Sequence, residues 1–211
     1  MTNAPSFTDE ETALLIDAQF FQKKATISEK IRAQLEKTGE ALKAELSRGQ
    51  LPALPDDHLS AQFVRGEHLE NFPYQYLDCP KYFHGPEKRT FRTLVWWGHH
   101  VACAWLLEGQ LTKQYKARLV DRFHTIAGRH LELSLAPTLW EWKRGEGYTL
   151  PITHDRKAQT AAVLAERAFL KIVRFIPFDD ARLRSGDLAG LSLEAFRAML
   201  PIVSSGGISV D

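Results

Sequence analysis

Phe91-Arg92-Thr93-Leu94-Val95-Trp96-Trp97-Gly98-His99-His100-Val101-Ala102-Cys103-Ala104-Trp105-Leu106-Leu107 decides the fold. Two apolar runs rich in β-branched and aromatic residues flank a Trp-Gly-His-His turn signal, the pattern of an antiparallel hairpin. With Gly98 and His99 as the central turn residues, Trp97 faces His100, Trp96 faces Val101, Leu94 faces Cys103 and Arg92 faces Trp105. One face then carries Phe91, Thr93, Val95, Trp97, His100, Ala102, Ala104 and Leu106. The other carries Arg92, Leu94, Trp96, Val101, Cys103, Trp105 and Leu107. Neither is polar, so the pair belongs in a sheet covered on both sides, or in one with helices on one side and a ligand groove on the other. The closed core is the preferred reading, with only the hairpin tip open.

Working outward, Ala61 to Arg65 and Tyr74 to Asp78 read as strands separated by the turn-rich 66–71, and Leu131, Leu133 and Leu135 alternate with polar residues as in a half-buried strand. Residues 137–150, with Trp140, Trp142 and Tyr148 around Gly145-Glu146-Gly147, read as a smaller hairpin or a structured loop. Helices lie on either side of this region. Thr8-Asp9-Glu10-Glu11 is a capping box that opens a short helix, and Thr26-Ile27-Ser28-Glu29 opens a longer one with Ile31, Leu35, Leu42 and Leu46 on one stripe. Gly49 is placed to end that helix, and Pro52 and Pro55 cannot continue it. Leu111, Tyr115, Leu119, Phe123 and Ile126 mark a helix over 110–127. Asp155 is expected to cap a long helix running to Ile176, whose small contact residues could fill the space left by Ala102 and Ala104. Ser192 is expected to cap the last one, before Pro201.

Composition narrows the function classes. The 211 residues, 44% of them hydrophobic, suit one domain over 1–211: helices in 1–50, the sheet region in 60–150 and helices in 155–200. With 27 basic and 26 acidic side chains, no net field favours nucleic acid or an anionic membrane. The longest stretch without Asp, Glu, Lys or Arg, Thr93 to Leu107, falls short of the roughly 20 residues of a membrane span. Met1 to Phe7 has no basic region followed by an apolar run, which makes a cytoplasmic protein the expectation. Cys79 and Cys103 then read as reduced core residues rather than a disulfide.

Arg92 is the most informative side chain, because an arginine on an apolar strand must stack or pair to offset its desolvation. Trp105 offers a cation-π face and Asp78 a carboxylate. The pair is either a buried register-fixing ion pair or an anion-recognising fork. His99 and His100, with His68, His84 and Cys79 near in sequence, invite a metal reading. Adjacent strand residues point oppositely, however, and no H-E-x-x-H or paired C-x-x-C occurs, so no metal or cofactor is expected. The chain also lacks G-x-S-x-G, G-x-x-x-x-G-K-[ST] and G-x-G-x-x-G.

Gly66-Glu67-His68, Phe72-Pro73-Tyr74, Leu77-Asp78-Cys79-Pro80 and Phe91 to Gly98 together resemble a group of uncharacterised bacterial proteins, most strongly over 66–109. The resemblance implies a small cytosolic bacterial protein and carries over no catalytic residue. That group tends to have an aromatic where this chain has Cys79, so the thiol inherits no role. The expected fold is α+β, an antiparallel sheet of about four to six strands centred on the hairpin and flanked by N- and C-terminal helices. The expected function is a non-catalytic module binding a small ligand, a partner or a second copy of itself through Tyr74, Tyr76, Asp78, Arg92, Trp96, Trp97, His99 and His100, with neither nucleic acid nor membrane as partner. The alternative is a hydrolytic small-molecule enzyme using Asp78, Arg92, His99 and His100.

Overall fold

A computed structural model describes residues 5–48 and 60–204. The central hairpin is β3 (Glu87–Trp96) and β4 (His100–Glu108). Around it lie β1 (Gln62–Leu69), β2 (Phe72–His84), β5 (Glu132–Ser134), β6 (Thr149–Pro151) and β7 (Leu170–Ile176). These form one antiparallel sheet in the order β1-β2-β3-β4-β7-β5-β6. The α+β class stands, and seven strands replace the four to six expected. The strand at the heart of the difference is β7, placed by sequence at the end of a long helix. Leu-Lys-Ile-Val-Arg-Phe-Ile is a short apolar run whose residues fit a helical stripe and a buried strand equally. Pairing with β4 decides for the strand.

The hairpin register differs by one residue from the expected one. Trp96 faces His100, Leu94 faces Ala102, Arg92 faces Ala104 and Phe91 faces Trp105. The connection is therefore the three residues Trp97-Gly98-His99, with Gly98 at φ +73°, a conformation that costs glycine little. Because side chains alternate, this slip moves all of β4 to the opposite face. Phe91, Val95, Val101, Cys103, Trp105 and Leu107 now share one core. Arg92, Leu94 and Trp96 share the other face with His100, Ala102, Ala104 and Leu106. The slip thereby puts Val101, Trp105 and Leu107 of β4 on the helix side, where each large side chain contributes about 1.5–3 kcal/mol on burial.

The helices covering that side are α2 (Ala18–Leu46), α3 (Thr112–Asp121) and α7 (Leu188–Val203), with Leu35, Leu42, Leu119 and Phe196 in the same cluster. Phe91, Trp105 and Phe196 form a ring triad with centroids 5.2–5.7 Å apart. Glu45, buried on α2, accepts from Arg197 of α7 at 2.9 and 2.7 Å, and these bonds hold its carboxyl below the usual range. Between strand and helix, Thr93 Oγ1 and Ser192 Oγ are hydrogen-bonded at 2.7 Å.

Several helix boundaries move for local reasons. The Thr8 capping box opens α1 (Asp9–Ile16) as expected. Thr26 opens nothing: Asp17 already caps α2, and Thr26 Oγ1 bonds back to Gln22 O at 3.0 Å inside the helix. Gly49 and the two prolines lie outside the described residues. The 110–127 helix is broken at Arg122 into α3 and α4 (Phe123–Ile126). Asp155 sits in a 3-10 turn (His154–Arg156) before α5 (Lys157–Glu166), which it does not cap. A short α6 (Ala181–Arg184) precedes α7, whose cap is Asp187 rather than the buried Ser192. Neither cysteine is bridged, and burial pushes each thiol up to about 11. Ellman's reagent at pH 8 is therefore expected to label no thiol in the native protein and both in denaturant; prompt native labelling would contradict this packing.

Candidate functional site

The face opposite the helices holds the candidate site. Strand alternation puts Tyr74, Tyr76 and Asp78 of β2 beside Trp96, Leu94 and Arg92 of β3. A bulge between Asp78 and Lys81, which contains the cis Cys79-Pro80 bond, then shifts the phase of β2. Phe83, paired with Lys88, thereby joins the face that Tyr82 would otherwise occupy. The β4–β7 half is covered by the 135–148 connection between β5 and β6, whose Leu139 and Trp142 cluster with Ala102, Ala104, Leu106 and Val173. This loop fills the alanine space assigned above to a helix. Over β2 and β3 the cover stops, leaving a cleft of about 270 Å³ lined by Leu69, Tyr74, Tyr76, Phe83, Arg92, Leu94, Trp140 and Trp142.

Arg92 lies at the base of this cleft, only 4% exposed. Its Nε donates to Asp78 Oδ1 at 2.7 Å and its Nη2 to Oδ2 at 2.8 Å, a fork-to-carboxylate pair with Asp78 0% exposed. Asp78 thus engages Nε and Nη2 of the guanidinium. Tyr76 provides the cation-π surface, 3.6 Å from ring centroid to guanidinium carbon, with Trp140 at 5.4 Å and Trp142 at 5.7 Å. Trp105, the partner expected from sequence, is on the far side of the sheet. Burial and the Asp78 charge raise the Tyr76 hydroxyl's pKa, while the Arg92 charge opposes them.

A second cation organises the cover. Lys171 of β7 is 1% exposed, its Nζ 3.6 Å from the Trp142 ring centroid. It donates to the carbonyls of Leu139, at 3.0 Å, and Glu141. Burial, then the charge of Arg92, push it down to about 7, against a pull from Glu141. Arg167 donates to the Leu135 and Ala136 carbonyls, and Glu132 accepts from Arg144 Nε and Thr149 Oγ1 at 2.7 and 2.6 Å. His100 Nε2 is 3.2 Å from the Trp142 carbonyl, which requires a protonated Nε2 as donor. Burial holds that ring's pKa down at about 4, so at neutral pH it is a neutral, committed donor. Side-chain donors thus satisfy the carbonyls of a loop that lacks a ladder of its own.

Comparison with protein-family models, with curated proteins and with solved structures finds no match to this chain.

Of the eight site residues read from sequence, Tyr74, Tyr76 and Arg92 line the cleft, and Asp78 backs Arg92 from beneath. Trp96 is fully buried, its Nε1 donating to Leu69 O at 3.1 Å and its ring stacked on His99 at 3.7 Å. Trp97 and His99 belong to the turn, and His100 faces Trp142 and Phe175. The histidines therefore do not converge with Asp78 and Arg92; Gly98 and His99 at the tip are exposed as expected, and the cleft over β2–β3 is a further opening. Among the described residues, no three or more His, Cys, Asp or Glu are grouped to hold a metal ion, and no helix is long and apolar enough to cross a membrane. Sequence reading missed Phe83, Trp140, Trp142 and Lys171 as site residues. Lys171 carried a signal like that of Arg92, a cation within an apolar strand run.

Proposed function

We propose that this protein is a binding module that holds a small planar ligand bearing a carboxylate or similar anionic acceptor in the cleft over Arg92. The observation carrying this reading is that a forked, stacked arginine forms the base of an otherwise aromatic and aliphatic cleft. The rings give flat contact area at low conformational cost, and Nη1 is the guanidinium nitrogen that Asp78 does not use. A cleft of about 270 Å³ suits a fragment-sized molecule rather than a drug-sized one. The aromatic box already encloses a cation of the chain itself, which disfavours a cationic ligand and favours an anionic one. The hydrolytic reading lacks equivalent support: both Asp78 oxygens are engaged by Arg92, and His100 is engaged by the Trp142 carbonyl.

Isothermal titration with three probes of like shape tests this. Benzoate is expected to bind saturably, benzamide more weakly and benzylamine not at all. Trp140→Ala, which truncates a ring 44% exposed and so leaves the fold in place, is expected to abolish benzoate binding. Absence of saturation by benzoate up to about 10 mM, or equal binding of all three probes, would overturn the proposal.

A further inference from the structure

Among the described residues, the amino-terminal helices carry an apolar surface that the rest of the protein does not cover. No residue of α1 is buried, and the first buried residue of α2 is Ser28. Phe7, Leu14, Leu15, Ile16, Phe20 and Phe21 are 48–77% exposed, and all but Ile16 line a groove together with Glu11. Leu14, Leu15 and Ile16 are consecutive, so the end of α1 is apolar all round, a pattern that belongs to a buried helix. Only Asp17 separates α1 from α2, too short a connection for α1 to fold back as a helical hairpin. The body lies farther along: the Lys24–Glu67 ion pair marks where α2 reaches the sheet, and α2 leaves Leu46 about 40 Å beyond Phe20 at helical rise.

Charge indicates the occupant. Residues 9–17 contain four acidic side chains, Asp9, Glu10, Glu11 and Asp17, and no basic one. Residues 18–32 contain four basic ones, Lys23, Lys24, Lys30 and Arg32, against Glu29 alone; Lys24 and Arg32 pair within the chain with Glu67 and Glu36, so Lys23 and Lys30 are the cations offered to a partner. With a two-fold axis through the groove, the acidic α1 of each chain would meet the basic start of α2 of the other, a self-complementary arrangement. An anionic membrane meets the acidic helix first and is repelled. We propose that residues 7–32 form a homodimer interface in which α1 of each copy packs on the amino-terminal part of α2 of the other. This proposal is independent of the cleft.

Sedimentation equilibrium of the full chain tests it. The wild type is expected at twice the 24.0 kDa chain mass. Leu15→Glu with Phe21→Glu, both at exposed positions, is expected to weaken association on the order of 100-fold with unchanged circular dichroism. Asp9→Lys with Glu10→Lys, and separately Lys23→Glu with Lys30→Glu, are each expected to sediment as single chains and to form a heterodimer when mixed. A monomeric wild type at about 100 µM would overturn the proposal. So would a dimer that survives Leu15→Glu with Phe21→Glu, or a wild-type monomer that floats with phosphatidylcholine–phosphatidylserine vesicles.

Discussion

Replacing Arg92 by methionine is expected to lower unfolding free energy by about 3–5 kcal/mol, the cost of leaving a buried carboxylate without its partner. Asp78 is completely buried, and both of its oxygens accept from this one guanidinium. Methionine keeps the length of the side chain, so the loss reports charge and hydrogen bonding more than volume. Arg92→Lys is expected to fall between wild type and Arg92→Met, because an ammonium cannot make the fork or lie flat on Tyr76. The control is Arg92→Met with Asp78→Leu, which removes both charges and is expected to recover most of the loss. Equilibrium denaturation by urea measures all four proteins. A loss below about 1 kcal/mol in Arg92→Met would contradict the buried pair.

Lys171→Met is expected to change the pH dependence of stability more than its size. The amine ionises at about 7 in the folded protein against 10.5 ordinarily. The unfolded chain therefore binds the extra proton between those values, and stability rises with pH across that window. Lys171's contribution is complete above about 10.5, declines as pH falls, and reaches its full penalty below about 7. The whole span is about 5 kcal/mol, at about 1.4 kcal/mol per pH unit. Cys79 and Cys103 act in the opposite sense above pH 9, because burial raises their ionisation to about 11 and unfolding releases those protons earlier. The difference between wild type and Lys171→Met removes that shared term. Denaturation at pH 7, 8 and 9 should give wild type gaining on the variant at each step; parallel curves would place the lysine's charge in solvent.

The hairpin and the Arg92–Asp78 pair were legible because each rests on a local rule: two apolar strand runs about a Gly-containing turn, and a cation that cannot be buried alone. The register was harder. Both a two-residue and a three-residue connection fit Trp97-Gly98-His99-His100, and the choice is made by which faces of β4 meet α7 and the 135–148 loop. That one-residue difference moved Trp105 away from Arg92 and brought Ala104 opposite it. Trp140 and Trp142 sit in a segment without periodicity, whose order comes from donors distant in sequence: Lys171, Arg167 and His100. No window of neighbouring residues contains that information. The phase shift bringing Phe83 into the cleft is likewise a bulge at Cys79-Pro80, where a proline reads as a strand end.

The claim that Arg92 is the anchor of a ligand site is tested most directly by proton–nitrogen correlation of its guanidinium during addition of benzoate, with the signal assigned through Arg92→Lys. The Nη1 resonance is predicted to move saturably with ligand while Nε, held by Asp78 at 2.7 Å, stays in place. A titration that leaves every Arg92 resonance unmoved, or shifts only residues outside the Tyr74, Tyr76, Phe83, Trp140 and Trp142 lining, would contradict it.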